Sequence, residues 1–263
     1  MPATGEDPPP RTLRPDDATD TFGLYQQAND AYRAPLTVLT ILMPLGLIAE
    51  IYRFMWEPAN TALPLFTGQW QALGNRLGLQ APLVPVALLT AGGLAVQALS
   101  HHPWELPRRR TVLLVCCWGA LWALVRYMVA LATISVIPAE AATAPPLEQA
   151  LALAGLAISA ALQEELVFRA LVLGVLGLSL RALGWGRWSV YAICLPLSAA
   201  LFSVAHTTVF HPAAGEAFAW SAFTHRFLAG LLYGTIFIRQ GLAVSTLAHA
   251  GYNAAALFGL GPL

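Results

Sequence analysis

From residue 35 onward the chain alternates long apolar runs with short polar breaks, whereas residues 1–34 are polar and proline-rich. Runs at 83–99, 111–137, 189–205, 223–238 and 242–260 approach or exceed the roughly 20 apolar residues with which a helix crosses a bilayer. The run at 36–51 contains Pro44 and closes on Glu50, which makes it the weakest span by length, with a kink expected at the proline. From Leu147 to Leu180 the chain is largely apolar, with Gln163, Glu164, Glu165 and Arg169 as the polar residues of its middle. Such a stretch suits two short spans or one long, tilted or broken helix. Between Tyr52 and Ala81, Phe66, Trp70, Leu73 and Leu77 recur at helical spacing while Gln69, Asn75 and Arg76 are polar. That pattern fits a helix lying in the membrane interface; an ordinary loop is the alternative.

These elements predict an all-α fold, a polytopic transmembrane helical bundle of about seven spans. Residues 1–34, with consecutive prolines at Pro8 to Pro10 and scattered acids, lack the apolar area to fold alone and are expected to form a disordered or loosely docked tail. Residues 35–146 are expected to hold the N-terminal spans with the possible interfacial helix, and 147–263 the spans that carry ionisable residues.

Composition agrees: 57% of residues are hydrophobic and 11% charged, against about 25% charged in soluble domains. Membrane lipid is therefore the main partner. The net charge is zero and every basic residue is an arginine, with no dense basic stripe, so nucleic acid is excluded as a partner. Walking outward from a cytoplasmic N-terminus, Arg11, Arg14, Arg33, Arg108 to Arg110, Arg181, Arg187 and Arg239 fall on the cytoplasmic side and Arg53, Arg76 and Arg226 on the other. That bias favours one crossing for Leu147–Leu180 and an N-terminus inside. The arginine, alanine and leucine content suggests a bacterial source, hence the inner (plasma) membrane. Cys116, Cys117 and Cys194 lie in apolar runs without disulfide or zinc spacing. No cleaved signal peptide is expected at the N-terminus, and no internal repeat of a transporter is evident.

Ionisable groups inside a membrane are costly and face a partner or a wet cavity. Residues three or four apart share a helix face, whereas neighbours diverge by about 100°. Glu165 and Arg169 are therefore natural partners, and Glu164 points elsewhere as the candidate base. Phe202 and His206 are one turn apart, as are His249 and Asn253. Polar faces on separate spans satisfy one another best by converging. The bland alternative is a buried network of acids and arginine that only orients helices. His101, His102, His211 and His225 fall in loops or at span ends and receive no role; Arg126 is expected to bond a carbonyl or snorkel, with a substrate carboxylate as a further option.

The motifs Glu164-Glu165-Leu-Val-Phe-Arg169 (EExxxR), Phe202-Ser-Val-Ala-His206 (FxxxH) and His249-Ala-Gly-Tyr-Asn253 (HxxxN) occur in that order. In order and membrane setting they resemble the CPBP (Abi) family, which includes type II CAAX prenyl proteases and bacteriocin-processing or self-immunity proteins. The resemblance covers roughly 147–260 and not the first spans. It implies a glutamic intramembrane endopeptidase acting on membrane-embedded or C-terminal tail peptides of a protein substrate. Glu164 with His206 would activate water, His249 and Asn253 would stabilise the oxyanion, and Glu165, Arg169 and Phe202 would support the site. No cofactor is implied. Zinc held by Glu164, His206 and His249 is the mechanistic rival, although the HExxH spacing is absent. A non-catalytic immunity or peptide-binding protein of the same fold is the alternative from another class.

Overall fold

The computed structural model describes residues 30–55, 66–80, 83–100, 102–133, 146–210 and 215–258. Within them the architecture is all helical, and the one β feature is an isolated bridge between Thr207 and Glu216. The elements are α1 (Pro35–Met55), α2 (Thr67–Leu77), α3 (Leu83–Leu99), α4 (Arg109–Thr133) and α5 (Leu147–Glu165), which continues through a π-helical segment (Leu166–Val175) into α6 (Leu176–Ala182). There follow α7 (Arg187–Ala205), α8 (Trp220–Gln240) and α9 (Leu242–Leu257). Pro35–Tyr52, Arg109–Leu131, Leu147–Ala182 and Arg187–Ala205 are long and apolar enough to cross a membrane, and Leu83–Leu99 is a shorter apolar helix. The chain is an integral membrane protein.

The long polar-centred stretch is one uninterrupted helical path of 36 residues from Leu147 to Ala182. At 1.5 Å per residue that is roughly 50 Å, well beyond the ~30 Å hydrocarbon thickness, so it runs tilted or protrudes. Its π turns shift backbone carbonyls out of the α register, and Ser198 Oγ of α7 donates to the Phe168 carbonyl at 2.7 Å. Lipid offers no substitute donor, so the satisfaction has to come from a neighbouring helix.

The first span covers Pro35–Tyr52, close to the expected run, within a helix that reaches Met55; Glu50 is buried, and its carboxylate accepts a hydrogen bond from Ser159 Oγ. A polar side chain that finds a partner inside the bundle does not have to mark the end of a helix. Residues 67–77 do form a helix, but Phe66 and Trp70 on its apolar edge are buried against protein. Trp70 Nε1 donates to Gln163 Oε1 at 2.9 Å, next to Glu164 in the chain. Phe66 and Trp70 thus pack on the bundle, while Leu77 at the end of the same helix is exposed. Most of the N-terminal tail, residues 1–29, lies outside the described residues.

α9 is the central helix, packed against α4, α5 and α8. Small residues let it approach α4: a Cβ on Gly251 would stand 2.8 Å from Ala123 Cβ, and one on Gly119 2.6 Å from Leu247 Cβ. Close backbone approach through small residues is how helices gain packing energy where lipid is as apolar as the side chains. The turn into α9 runs through Gly241 at φ +86°, a left-handed conformation that glycine adopts without strain. Arg33 caps the end of α8 there by donating from Nη2 to the carbonyls of Ile238 and Arg239.

Candidate active site

Glu164 and Glu165 close α5 where the helix widens into its π segment. Being neighbours, they diverge around the helix, and the structure gives them different surroundings. Glu165 is fully buried and receives Ser245 Oγ on one carboxylate oxygen and His249 Nδ1 on the other, the latter at 3.0 Å. Arg169 Nη1 stands 3.2 Å from the same oxygen that meets His249. The Arg169 ion contact is not an aligned hydrogen bond, since its guanidinium nitrogens have no hydrogen-bond partner. The guanidinium lies instead against aromatic faces, 4.6 Å from the Phe202 ring centroid and 5.5 Å from that of Tyr233, an arrangement that stabilises a desolvated cation.

Glu164 faces the two histidines. Its Oε2 is 3.8 Å from His206 Nε2 and 3.6 Å from His249 Nε2, too long for direct hydrogen bonds and short enough for both rings to share one partner with the carboxylate. The spacing of the second motif explains itself here. His206 caps α7, and its Nδ1 donates to the Phe202 carbonyl one turn back at 2.8 Å. The Phe202 ring meets the ring of His206 edge-on at 5.0 Å and that of His249 at 5.7 Å. One phenylalanine therefore fixes the tautomer of His206 through its backbone and the placement of both rings through its side chain.

Hydrogen bookkeeping at the two imidazoles follows. A carbonyl only accepts, so His206 carries its hydrogen on Nδ1. Glu165, which receives three donor groups, has the bonding of an ionised carboxylate, so His249 also donates from Nδ1. In their neutral forms both Nε2 atoms then present lone pairs towards Glu164. Acceptors converging from three helices form a cradle for a donor.

Access is one-sided: the side chain of His206 is 23% exposed, against 8% for Glu164 and 5% for His249. Beyond His206 the chain folds back, with the backbone N–H of Glu216 donating to the His206 carbonyl at 3.0 Å. Arg226 then anchors Glu216 by an ion pair at 2.7 Å.

Glu164, Glu165, Arg169, Phe202, His206 and His249 are thus brought together. Asn253 follows His249 by one turn on α9 and is partly buried, with no hydrogen bond to the cluster. Two members escaped the sequence reading. Ser245 stands one turn before His249, so α9 presents Ser245, His249 and Asn253 at a four-residue spacing that could have been noticed. Tyr233 of α8 stacks on His249 with ring centroids 4.4 Å apart and planes 18° apart; no spacing rule links it to α9. Among the described residues no group of three or more His, Cys, Asp or Glu has the geometry to hold a metal ion.

His225 and Arg126 depart from expectation. His225 is buried within α8 and accepts from Nη2 of Arg126, itself only 2% exposed in α4. Among the described residues Arg126 bonds no carbonyl, and the approach of α4 to α9 encloses it; its guanidinium covers the Tyr252 ring at 4.1 Å. His102 takes part through its backbone, the carbonyl accepting from Gln97 Nε2 and the N–H donating to Ser100 Oγ; His101 and His211 lie outside the described residues.

No curated protein and no solved structure matches the chain. Residues 146–255 match the family model of type II CAAX prenyl endopeptidase Rce1-like proteins. The matched segment begins just before α5 and ends just past Asn253, so it contains every residue of the carboxylate and imidazole cluster. That match is in line with the family that the three motifs resemble.

Proposed function

We propose that this protein is a glutamic intramembrane endopeptidase that hydrolyses a peptide bond in the membrane-embedded or C-terminal tail of a protein substrate, without a metal or other cofactor. The observation that carries this reading is the convergence of Glu164 Oε2 with the Nε2 atoms of His206 and His249 at 3.8 and 3.6 Å. Water held there donates to Glu164 and His206, and its oxygen attacks the scissile carbonyl carbon. Glu164 takes the proton, His206 relays it, and it passes to the departing amine nitrogen as the C–N bond breaks. Negative charge develops on the carbonyl oxygen. Asn253 donates to it from its amide, and His249 does so from Nε2 once both of its nitrogens carry hydrogen. Glu165, Ser245 and Tyr233 fix the His249 ring, with Arg169 fixing Glu165.

The protein works in the bacterial inner membrane with about seven spans and a cytoplasmic N-terminus. The test is cleavage of a prenylated tail peptide by the purified protein in detergent. Glu164→Gln and His206→Ala each lower kcat/KM by roughly 100- to 10,000-fold. Wild-type rates from either variant overturn the reading.

The lone pairs at both Nε2 atoms, with both Nδ1 atoms already bonded, are what a second reading with zinc in the cradle would use, although the three groups would have to draw together to bind it. Glu164, His206 and His249 would then be its ligands and the metal would supply the activated water. The two readings separate with EDTA or phenanthroline: unaltered cleavage after chelation supports the metal-free mechanism, and loss that added zinc restores supports the other.

A further inference from the structure

Gln163, the chain neighbour of the proposed base, is buried with both ends of its amide bonded. Trp70 Nε1 donates to its Oε1 at 2.9 Å, and its Nε2 donates to Ser159 Oγ at 3.0 Å. An indole nitrogen only donates, so Trp70 fixes which end of the amide faces which way. Ser159 in turn donates its hydroxyl hydrogen to the Glu50 carboxylate. The bonds therefore run in one direction, from Trp70 of α2 through two residues of α5 to Glu50 of α1. Every donor in that chain meets an acceptor, as a buried polar network requires.

Ser159 and Gln163 are one turn apart on a single face of α5. Pinning that face sets the rotation of the helix about its axis, and Glu164, about 100° further round, is aimed by it. α1 presses on the same side: a Cβ on Gly155 would stand 3.1 Å from the Ala49 carbonyl oxygen. A firm hold matters at this point, because the π turns begin directly after Glu165. A second path leads from α2 to the same cluster. Phe66, at the start of α2, lies 5.7 Å from Phe168, which meets Phe202 edge-on at 5.4 Å. Phe202 in turn contacts both imidazoles. α2 thus reaches the carboxylate through hydrogen bonds and the histidines through ring contacts.

We propose that Trp70 is a positioning residue for the hydrolysis, setting through Gln163 the rotation of α5 that aims Glu164 at His206 and His249. This rests on the endopeptidase reading for its reaction. Trp70 lies outside the matched segment 146–255, so the N-terminal half contributes to the geometry of the chemistry as well as to the bundle. Without the indole N–H, Gln163 Oε1 becomes a buried acceptor lacking that donor, a costly state that its turn of helix relieves by shifting. Glu164 shifts with it.

The test compares Trp70→Phe, which keeps a ring beside Phe66 and removes the N–H, with the wild type in neutral detergent on an S-farnesyl tail peptide. kcat should fall roughly 10- to 100-fold with KM changed by less than about twofold, the signature of a slightly misplaced reacting group. Adding Gln163→Met removes the orphaned acceptor, and replacing both partners of a hydrogen bond by apolar groups is nearly neutral for stability. The unfolding midpoint should then return to the wild-type value while kcat stays low. Recovery of kcat together with the midpoint, or a loss confined to KM, overturns the proposal. A second measurement needs no cleavage. With Cys116, Cys117 and Cys194 replaced, Glu164→Cys and His206→Cys are joined by a short bis-methanethiosulfonate, in chains that carry Trp70 or Trp70→Phe. Trp70→Phe should lower the cross-link yield, and an unchanged yield overturns the proposal. A wild type that cleaves nothing, with a cross-link that still depends on Trp70, removes the endopeptidase and keeps the brace.

Discussion

Glu164 and Glu165 are chain neighbours with opposite bonding. Three donor groups converge on Glu165, whereas Glu164 meets only imidazole nitrogens at 3.6 and 3.8 Å. Substituting each by glutamine therefore has different consequences. Glu165→Gln strips the buried Arg169 of its counter-charge, and removing one member of a buried ion pair costs about 3–5 kcal/mol. It also loosens His249. Thermal unfolding in detergent should show a markedly lower midpoint together with lost cleavage. Glu164→Gln leaves no cation unpaired, so its midpoint should stay within about 1 kcal/mol of the wild type while cleavage falls. Equal destabilisation by the two variants would mean that both acids serve the fold. At this scale the spacing in the sequence distinguished the two acids, because a four-residue interval fixes which side chains can touch. The role of Glu165 towards His249 and Ser245 was not legible, since it depends on which face of α9 turns to α5.

At the scale of elements, the hydrophobic pattern located the helices well but said little about their neighbours. Leu147–Ala182 forms the single long helix that the arginine bias favoured. Its π segment was not legible, because the apolar pattern of Leu166–Val175 fits α and π turns alike. His225 was misjudged for a related reason: near the start of an apolar run it reads as interfacial, and only the approach of α4 buries it. That approach rests on glycine. Gly251→Leu places a Cβ 2.8 Å from Ala123 Cβ, which is stiff and cannot swing aside. Overpacking of this kind costs about 1–3 kcal/mol, so the midpoint should fall. Tyr252 should also leave the Arg126 guanidinium that now covers its ring. A variant with wild-type stability would argue that α4 has room to shift.

For the whole molecule, α4, the long Leu147–Ala182 helix and α7 lie between Glu105 and Glu216. If each crosses once, these exposed residues face opposite compartments. With Cys116, Cys117 and Cys194 replaced, Glu105→Cys should react with a membrane-impermeant maleimide from the cytoplasmic side and Glu216→Cys from the other. Labelling of both from one side would break the proposed topology. The same measurement bears on how the enzyme is controlled. The side chain of His206 is more exposed than those of Glu164 and His249, and its carbonyl is tied to the Glu216 backbone, so on the proposed topology water would reach Glu164 from the Glu216 side. A hydrolase with one wet mouth is latent in a sealed vesicle whenever that mouth faces away from its substrate, and opening the vesicle with detergent releases the activity. Insertion geometry would then decide when a tail can be cut, with delivery of that tail to the Glu216 side as the commitment step.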